Sequence, residues 1–106
     1  MASKYCVVMV TAPQHIVQTI KDTILEKKLA ACVSVIPNVM SSYIWQGAVK
    51  GDMESLIIIK TRSALMKKLE AEIKKLHTYD VPEIISIPIE GGNEKYLSWI
   101  AKSTKG

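Results

Sequence analysis

Apolar side chains run along this chain in two rhythms, unbroken stretches and a spacing of three to four, and together they outline the elements. Tyr5-Cys6-Val7-Val8-Met9-Val10 is a continuous β-prone run after Lys4, which predicts a strand buried on both faces. Beyond Thr11-Ala12-Pro13, the residues Ile16, Val17, Ile20, Ile24 and Leu25 recur at helical spacing opposite His15, Gln18, Thr19, Asp22 and Glu26. That pattern predicts a one-faced helix over 13–28 with Pro13 in its first turn. Cys32-Val33-Ser34-Val35-Ile36 opens a second strand, which Pro37 bends or confines to an edge and which resumes through Val39 and Tyr43-Ile44-Trp45 to Val49. Lys50-Gly51-Asp52 has turn chemistry and Leu56-Ile57-Ile58-Ile59 is again apolar on both sides, so 32–61 reads as a long hairpin. Ser63 is the expected cap of a helix over 64–76 with Leu65, Leu69, Ile73 and Leu76 inward. Pro82 opens a fourth strand through Glu83-Ile84-Ile85-Ser86-Ile87, which Pro88 assigns to an edge or a bent end. Gly91-Gly92 then turns the chain into a last helix, capped by Asn93 and carrying Tyr96, Leu97 and Ile100.

Strand, helix, strand, strand, helix, strand and a terminal helix is the split βαβ order of an α+β, ferredoxin-like fold, a four-stranded antiparallel sheet with one long hairpin. The chain reads as a single domain over 1–106. Right-handed crossovers place both main helices on one face of such a sheet. Residues 7–10, 56–59 and 84–87 are nonetheless apolar at nearly every position, so both faces carry greasy side chains. Leaving them wet would forgo about 1.5–3 kcal/mol each, so sister subunits in a closed ring are expected to cover what the terminal helix does not.

Composition narrows the function. The net charge of +4 rests on 13 lysines and a single arginine, Arg62, and there is no phenylalanine. Forked arginine contacts and aromatic stacking platforms are therefore scarce, which argues against nucleic acid as a partner. No apolar run is long enough to span a bilayer, so no membrane is expected either. Cys6 and Cys32 sit in apolar stretches without a paired motif or signal peptide, and they read as reduced, buried thiols of a cytoplasmic protein.

Catalytic signatures are absent: no phosphate-cradling glycine loop, no nucleophile elbow, no histidine pair at helical spacing. The chain reads as a protein without enzymatic activity and with no required cofactor. His15, in the first turn of a helix, reads as an exposed neutral imidazole. His77 leads His77-Thr78-Tyr79-Asp80-Val81-Pro82-Glu83, a short loop holding an imidazole, a phenol and two carboxylates. Imidazole with carboxylate suits zinc or copper, yet a closed site needs three or four donors, which this loop alone does not supply. Capping of the preceding helix is the alternative role for His77. Trp45 reads as an interface anchor or a stacking platform. Lys60 either snorkels to water or lines an anion pocket with Gly91-Gly92-Asn93.

Glu26-Lys27-Lys28-Leu29-Ala30-Ala31-Cys32-Val33, Ile36-Pro37, Ser42-Tyr43-Ile44-Trp45-Gln46-Gly47, Lys60-Thr61, the 77–84 segment and Tyr96-Leu97-Ser98-Trp99 occur in an order and spacing that resemble the CutA family of divalent-cation tolerance proteins. The resemblance covers nearly the whole chain. It implies a ferredoxin-like homotrimer built through the hairpin strands, a usually cytosolic bacterial or plastid form, and a link to copper and heavy-metal tolerance. Some bacterial members carry a Cys before the Thr-Ala-Pro turn and a His pair after the second helix, whereas this chain has Val10 and Leu76-His77 there. His77 is thus the expected metal ligand, for copper or another divalent cation, with neighbouring carboxylates. The family residues Cys32, Trp45, Lys60, Tyr79 and Glu83 mark an expected pocket between subunits. A second reading, a trimeric PII-like sensor, would hold an anionic ligand near Lys60 and the Gly91-Gly92 turn. A third, an acylphosphatase-like enzyme, fails because Thr11-Ala12-Pro13-Gln14-His15 has no arginine to hold a phosphate.

Overall fold

Alternation decides which side of the sheet is dry. In β1 (Tyr5–Ala12) the side chains of Cys6, Val8, Val10 and Ala12 are fully buried while their neighbours are half-buried, as period-2 geometry demands when only one face is thickly covered. The covering layer is α1 (Gln14–Glu26) and α2 (Met66–Leu76), which deliver Val17, Ile20, Ile24, Leu69 and Ile73 to one core with Ile57 and Ile59 of β3 (Ala48–Arg62). A computed structural model supplies this architecture for residues 3–105; Met1, Ala2 and Gly106, the ends of the expected 1–106 domain, lie outside the described residues.

With β2 (Cys32–Trp45) and β4 (Ile84–Ile89) the sheet order is β2-β3-β1-β4, and every neighbouring pair is antiparallel. This is the expected four-stranded α+β arrangement. The last helix, α3 (Glu94–Ser103), is capped as anticipated, the Asn93 side chain accepting from the Tyr96 amide. Ile100 of α3 is buried but stands outside the core of the first two helices, and α3 packs on β3. Lys27, just past α1, meets Glu72 of α2 at 2.9 Å; that bond, with Lys75 at 3.3 Å, holds the Glu72 carboxyl below its ordinary range.

Four local expectations are corrected. The hairpin reverses at Gln46-Gly47, not at Lys50-Gly51-Asp52: Trp45 pairs with Ala48, and Gly51 lies inside β3 opposite Ser42. A two-residue hairpin loop of type I′ needs left-handed backbone at both positions, and Gln46 and Gly47 adopt φ of 51° and 80°. The first helix ends at Glu26, not at residue 28, because Lys28 turns left-handed at φ 58°. The Lys28 amide bonds to the Leu25 carbonyl and the Leu29 amide to the Ile24 carbonyl, a Schellman closure without the usual glycine. Ser63 caps nothing with its side chain; it starts a single 3₁₀ turn, Ser63–Leu65, that leads into α2. Cys32 is half-buried, unlike Cys6, and both thiols are free.

Proline acts as forecast in β2 and β4. Both are edge strands; Pro88 sits inside β4 opposite Cys6, and Pro37 falls in a bulge with Asn38 at φ 60°. That bulge inserts one residue between the Ile36–Leu56 and Val39–Glu54 pairs, so the alternation of β2 reverses beyond it. Ser41, Tyr43 and Trp45 therefore share a face with Asp52 and Glu54, on the side away from α1 and α2.

Candidate functional site

On that face the far arm of the hairpin and the 77–83 loop enclose a cleft of about 570 Å³ lined by Thr11, Ser41, Ser42, Tyr43, Trp45, Asp52, Glu54, Tyr79, Asp80, Val81 and Glu83. Among the described residues four carboxylates and three aromatic rings line it, and no lysine, arginine or histidine does.

His77 fixes the loop. It leaves α2 with extended backbone; its Nδ1 accepts from the Tyr79 amide at 3.1 Å, so the ring proton resides on Nε2, which donates to the Thr11 carbonyl at 2.8 Å. The imidazole also lies against the Tyr79 ring, centroids 4.6 Å apart. Tyr79 is thereby aimed across the cleft, and its hydroxyl donates to Glu54 Oε2 at 2.8 Å. Burial, then this bond and the Glu54 charge, push the Tyr79 phenol far above its ordinary range. Glu54 is only 7% exposed. Its other oxygen, Oε1, has no hydrogen-bond partner among the described residues and opens on the cleft. Next along the strand, Tyr43 donates to Asp52, a bond that raises the Tyr43 phenol. Each of these two carboxylates is served by a neutral phenol, and neither has a cation among the described residues.

The five residues expected to share a pocket divide into two groups. Trp45, Tyr79 and Glu83 line the acidic cleft. Cys32 and Lys60 face each other across β2 and β3 at the other end of the hairpin, Lys60 Nζ lying 3.9 Å from Cys32 Sγ and 3.3 Å from Ser34 Oγ. Tyr96 of α3 adjoins them, its phenol raised by burial and then by Cys32. Sequence reasoning missed Glu54, placed Asp52 in a turn and gave Tyr43 no part in a site. The signal was a strand pairing: placing the turn at Gln46-Gly47 brings Asp52 opposite Ser41 and Glu54 opposite Val39, beside the Tyr43-Ile44-Trp45 segment already singled out.

The metal chemistry of a single chain is thin. Both His77 nitrogens are engaged, and among the described residues no three His, Cys, Asp or Glu side chains converge on one point. No helix of the described residues is long and apolar enough to cross a membrane.

Residues 6–103 match the family model described as CutA1 divalent ion tolerance protein. The chain is 47% identical over 100 residues to the chloroplastic protein CutA 1 of rice, Oryza sativa, covering 93% of this chain but 56% of the rice protein, so it spans about half the length of that relative. It is 42% identical over 99 residues to the divalent-cation tolerance protein CutA of Thermus thermophilus, covering 92% of this chain and 96% of that one. The solved structure of the periplasmic divalent cation tolerance protein CutA from Archaeoglobus fulgidus superposes with a TM-score of 0.92 at 36% identity, covering 95% of this chain and 99% of that one.

Proposed function

The chain belongs to the CutA1 divalent ion tolerance family, and on that premise we propose that it works as a homotrimer that holds divalent cations loosely, without transforming them. The observation that carries the cation reading is the cleft, whose lining among the described residues has four carboxylates and no positive side chain. Oxygen donors of this kind attract hard divalent ions with modest affinity, because among the described residues of one chain nothing gathers them into a closed coordination shell. His77 is the softer donor. Copper can reach it only by displacing the bond to the Thr11 carbonyl or the bond from the Tyr79 amide, which lowers the affinity of any site there.

Trimer formation is supported by the apolar surface that one chain leaves open, on the hairpin arm, on β4 and on α3. The absence of enzymatic activity belongs to the proposal too, and so does cytoplasmic residence, which rests on the two free thiols. The rice and Archaeoglobus names record chloroplastic and periplasmic forms. Cell fractionation tests that part.

Titration calorimetry with copper, zinc and magnesium tests the cation reading. Saturable, weak binding of at least one ion is expected, reduced in Glu54→Gln for every ion and in His77→Ala for copper above the others. No binding of any ion, or binding indifferent to both substitutions, overturns it. The PII-like alternative requires nucleotide or another anion to bind near Lys60, and an ATP titration reads that directly.

A further inference from the structure

We propose that the preferred occupant of the acidic cleft is a small linear organic diammonium ion, held by its two ends, and not a bare metal ion. This deepens the reading of the cleft as a cation site and rests on it. Three features of the cleft carry the inference.

The first is spacing. Asp52 and Glu54 alternate on one face of β3, so their Cα atoms lie about 7 Å apart. In this structure each carboxylate is turned to its own phenol, Asp52 to Tyr43 and Glu54 to Tyr79, and no donor trio converges on one point among the described residues. The two carboxylates match two charges joined by a short alkyl chain. The second is the wall between them. Tyr43, Trp45 and Tyr79 line the same cleft, and aromatic rings attract alkylammonium groups and cover methylenes, whereas a hydrated metal ion gains little from them. The third is Glu54 itself. As a residue it is only 7% exposed; one carboxylate oxygen is bonded to a neutral phenol, and Oε1, with no protein partner among the described residues, is reached by solvent from the cleft. A carboxylate in so sheltered a place has no countercharge among the described residues, and a cationic nitrogen delivered by a ligand would supply one through a charge-assisted hydrogen bond to Oε1. The volume of about 570 Å³ is that of a small-molecule site and far exceeds the need of one ion.

The test uses the intact protein carrying Trp99→Phe, which leaves Trp45 as its only tryptophan. Putrescine and cadaverine are titrated at constant ionic strength while Trp45 fluorescence is followed, with magnesium at equal charge and a neutral butanediol as controls. Saturable change with the diamines, absent with butanediol and weaker with magnesium, is expected. Binding should fall about tenfold or more in Glu54→Gln and in the exposed Asp52→Asn. Magnesium matching the diamines, or both variants binding as well as the parent, overturns the proposal. If copper or zinc binds by calorimetry while the diamines do not, the diammonium inference falls and the metal reading stands. Diamine binding without metal binding upholds the inference and removes the metal reading.

Discussion

Two backbone groups hold the imidazole of His77, and through it the ring of Tyr79 and the hydroxyl that reaches Glu54. Replacing His77 by Ala leaves the Thr11 carbonyl and the Tyr79 amide to find water in a partly buried place, so a loss of about 1–3 kcal/mol is expected in urea unfolding. A purely ligand-binding histidine would leave stability unchanged. Tyr79 gives a second reading of the same chain of contacts. Its phenol is raised above the ordinary 10.0, so the folded protein retains that proton more strongly than the unfolded chain does. The stability it contributes is complete below pH 10 and is lost as pH rises from there towards the folded value. Phenolate absorbance should accordingly show a late component in the wild type, and Tyr79→Phe should remove part of it. At this scale sequence reading went as far as contiguous residues allow. The 77–83 loop, with Tyr79 and Glu83, could be singled out as one segment, and Trp45 by its own size. Glu54 could not, because its meaning depends on a register and on a bulge at Pro37-Asn38 that reverses one strand's faces.

Elements were legible where periodicity is long and lost definition where a few residues turn the chain. All four strands and three helices were anticipated, since runs such as 5–10 and 56–59 and the stripe Ile16, Val17, Ile20, Ile24 carry their own pattern. Two of the ends were missed for one physical reason: non-glycine residues occupy left-handed backbone at Lys28 and Gln46, where propensity expects glycine or asparagine. Opposite outcomes follow at the two turns. Lys28→Gly relieves a Cβ conflict in the closure of α1 and should stabilise by up to about 1 kcal/mol. Gly47→Ala introduces such a conflict at φ 80° and should destabilise by about 1–2 kcal/mol, although no heavy atom lies within 4 Å of the added carbon. Urea midpoints with unchanged slopes would confirm that both effects are local backbone strain. Loss of stability in Lys28→Gly would show instead that the lysine stem contributes more than its backbone costs.

Apolar runs on both faces of the sheet foretold that one layer of helices would leave surface uncovered, and Ile36, Ile85 and Ile87 remain about half exposed. The longer arm adds what the misplaced turn concealed. Met40 opposes Met53 and Ile44 opposes Val49, four side chains 62–77% exposed on a ribbon that extends the molecule to 44 Å. Full burial of such side chains stabilises by about 1.5–3 kcal/mol each, so these four supply roughly 4–9 kcal/mol given the fraction still exposed. Micromolar association needs about 8 kcal/mol after the cost of lost rotational and translational freedom, itself several kcal/mol or more. The arm alone therefore falls short, and the β4 face with Tyr96 and Trp99 of α3 must be buried as well. An assembly that depends on both surfaces at once should be sensitive to either. Val49→Asp places a charge on the arm, and Ile87→Asp places one on β4, about 46% exposed in the single chain. Sedimentation equilibrium at micromolar concentration should give three times the chain mass for the wild type and a strong shift towards one chain for each variant. A wild type that sediments as a single folded chain would overturn the trimer, and a Val49→Asp trimer as tight as wild type would exclude the arm from its interface.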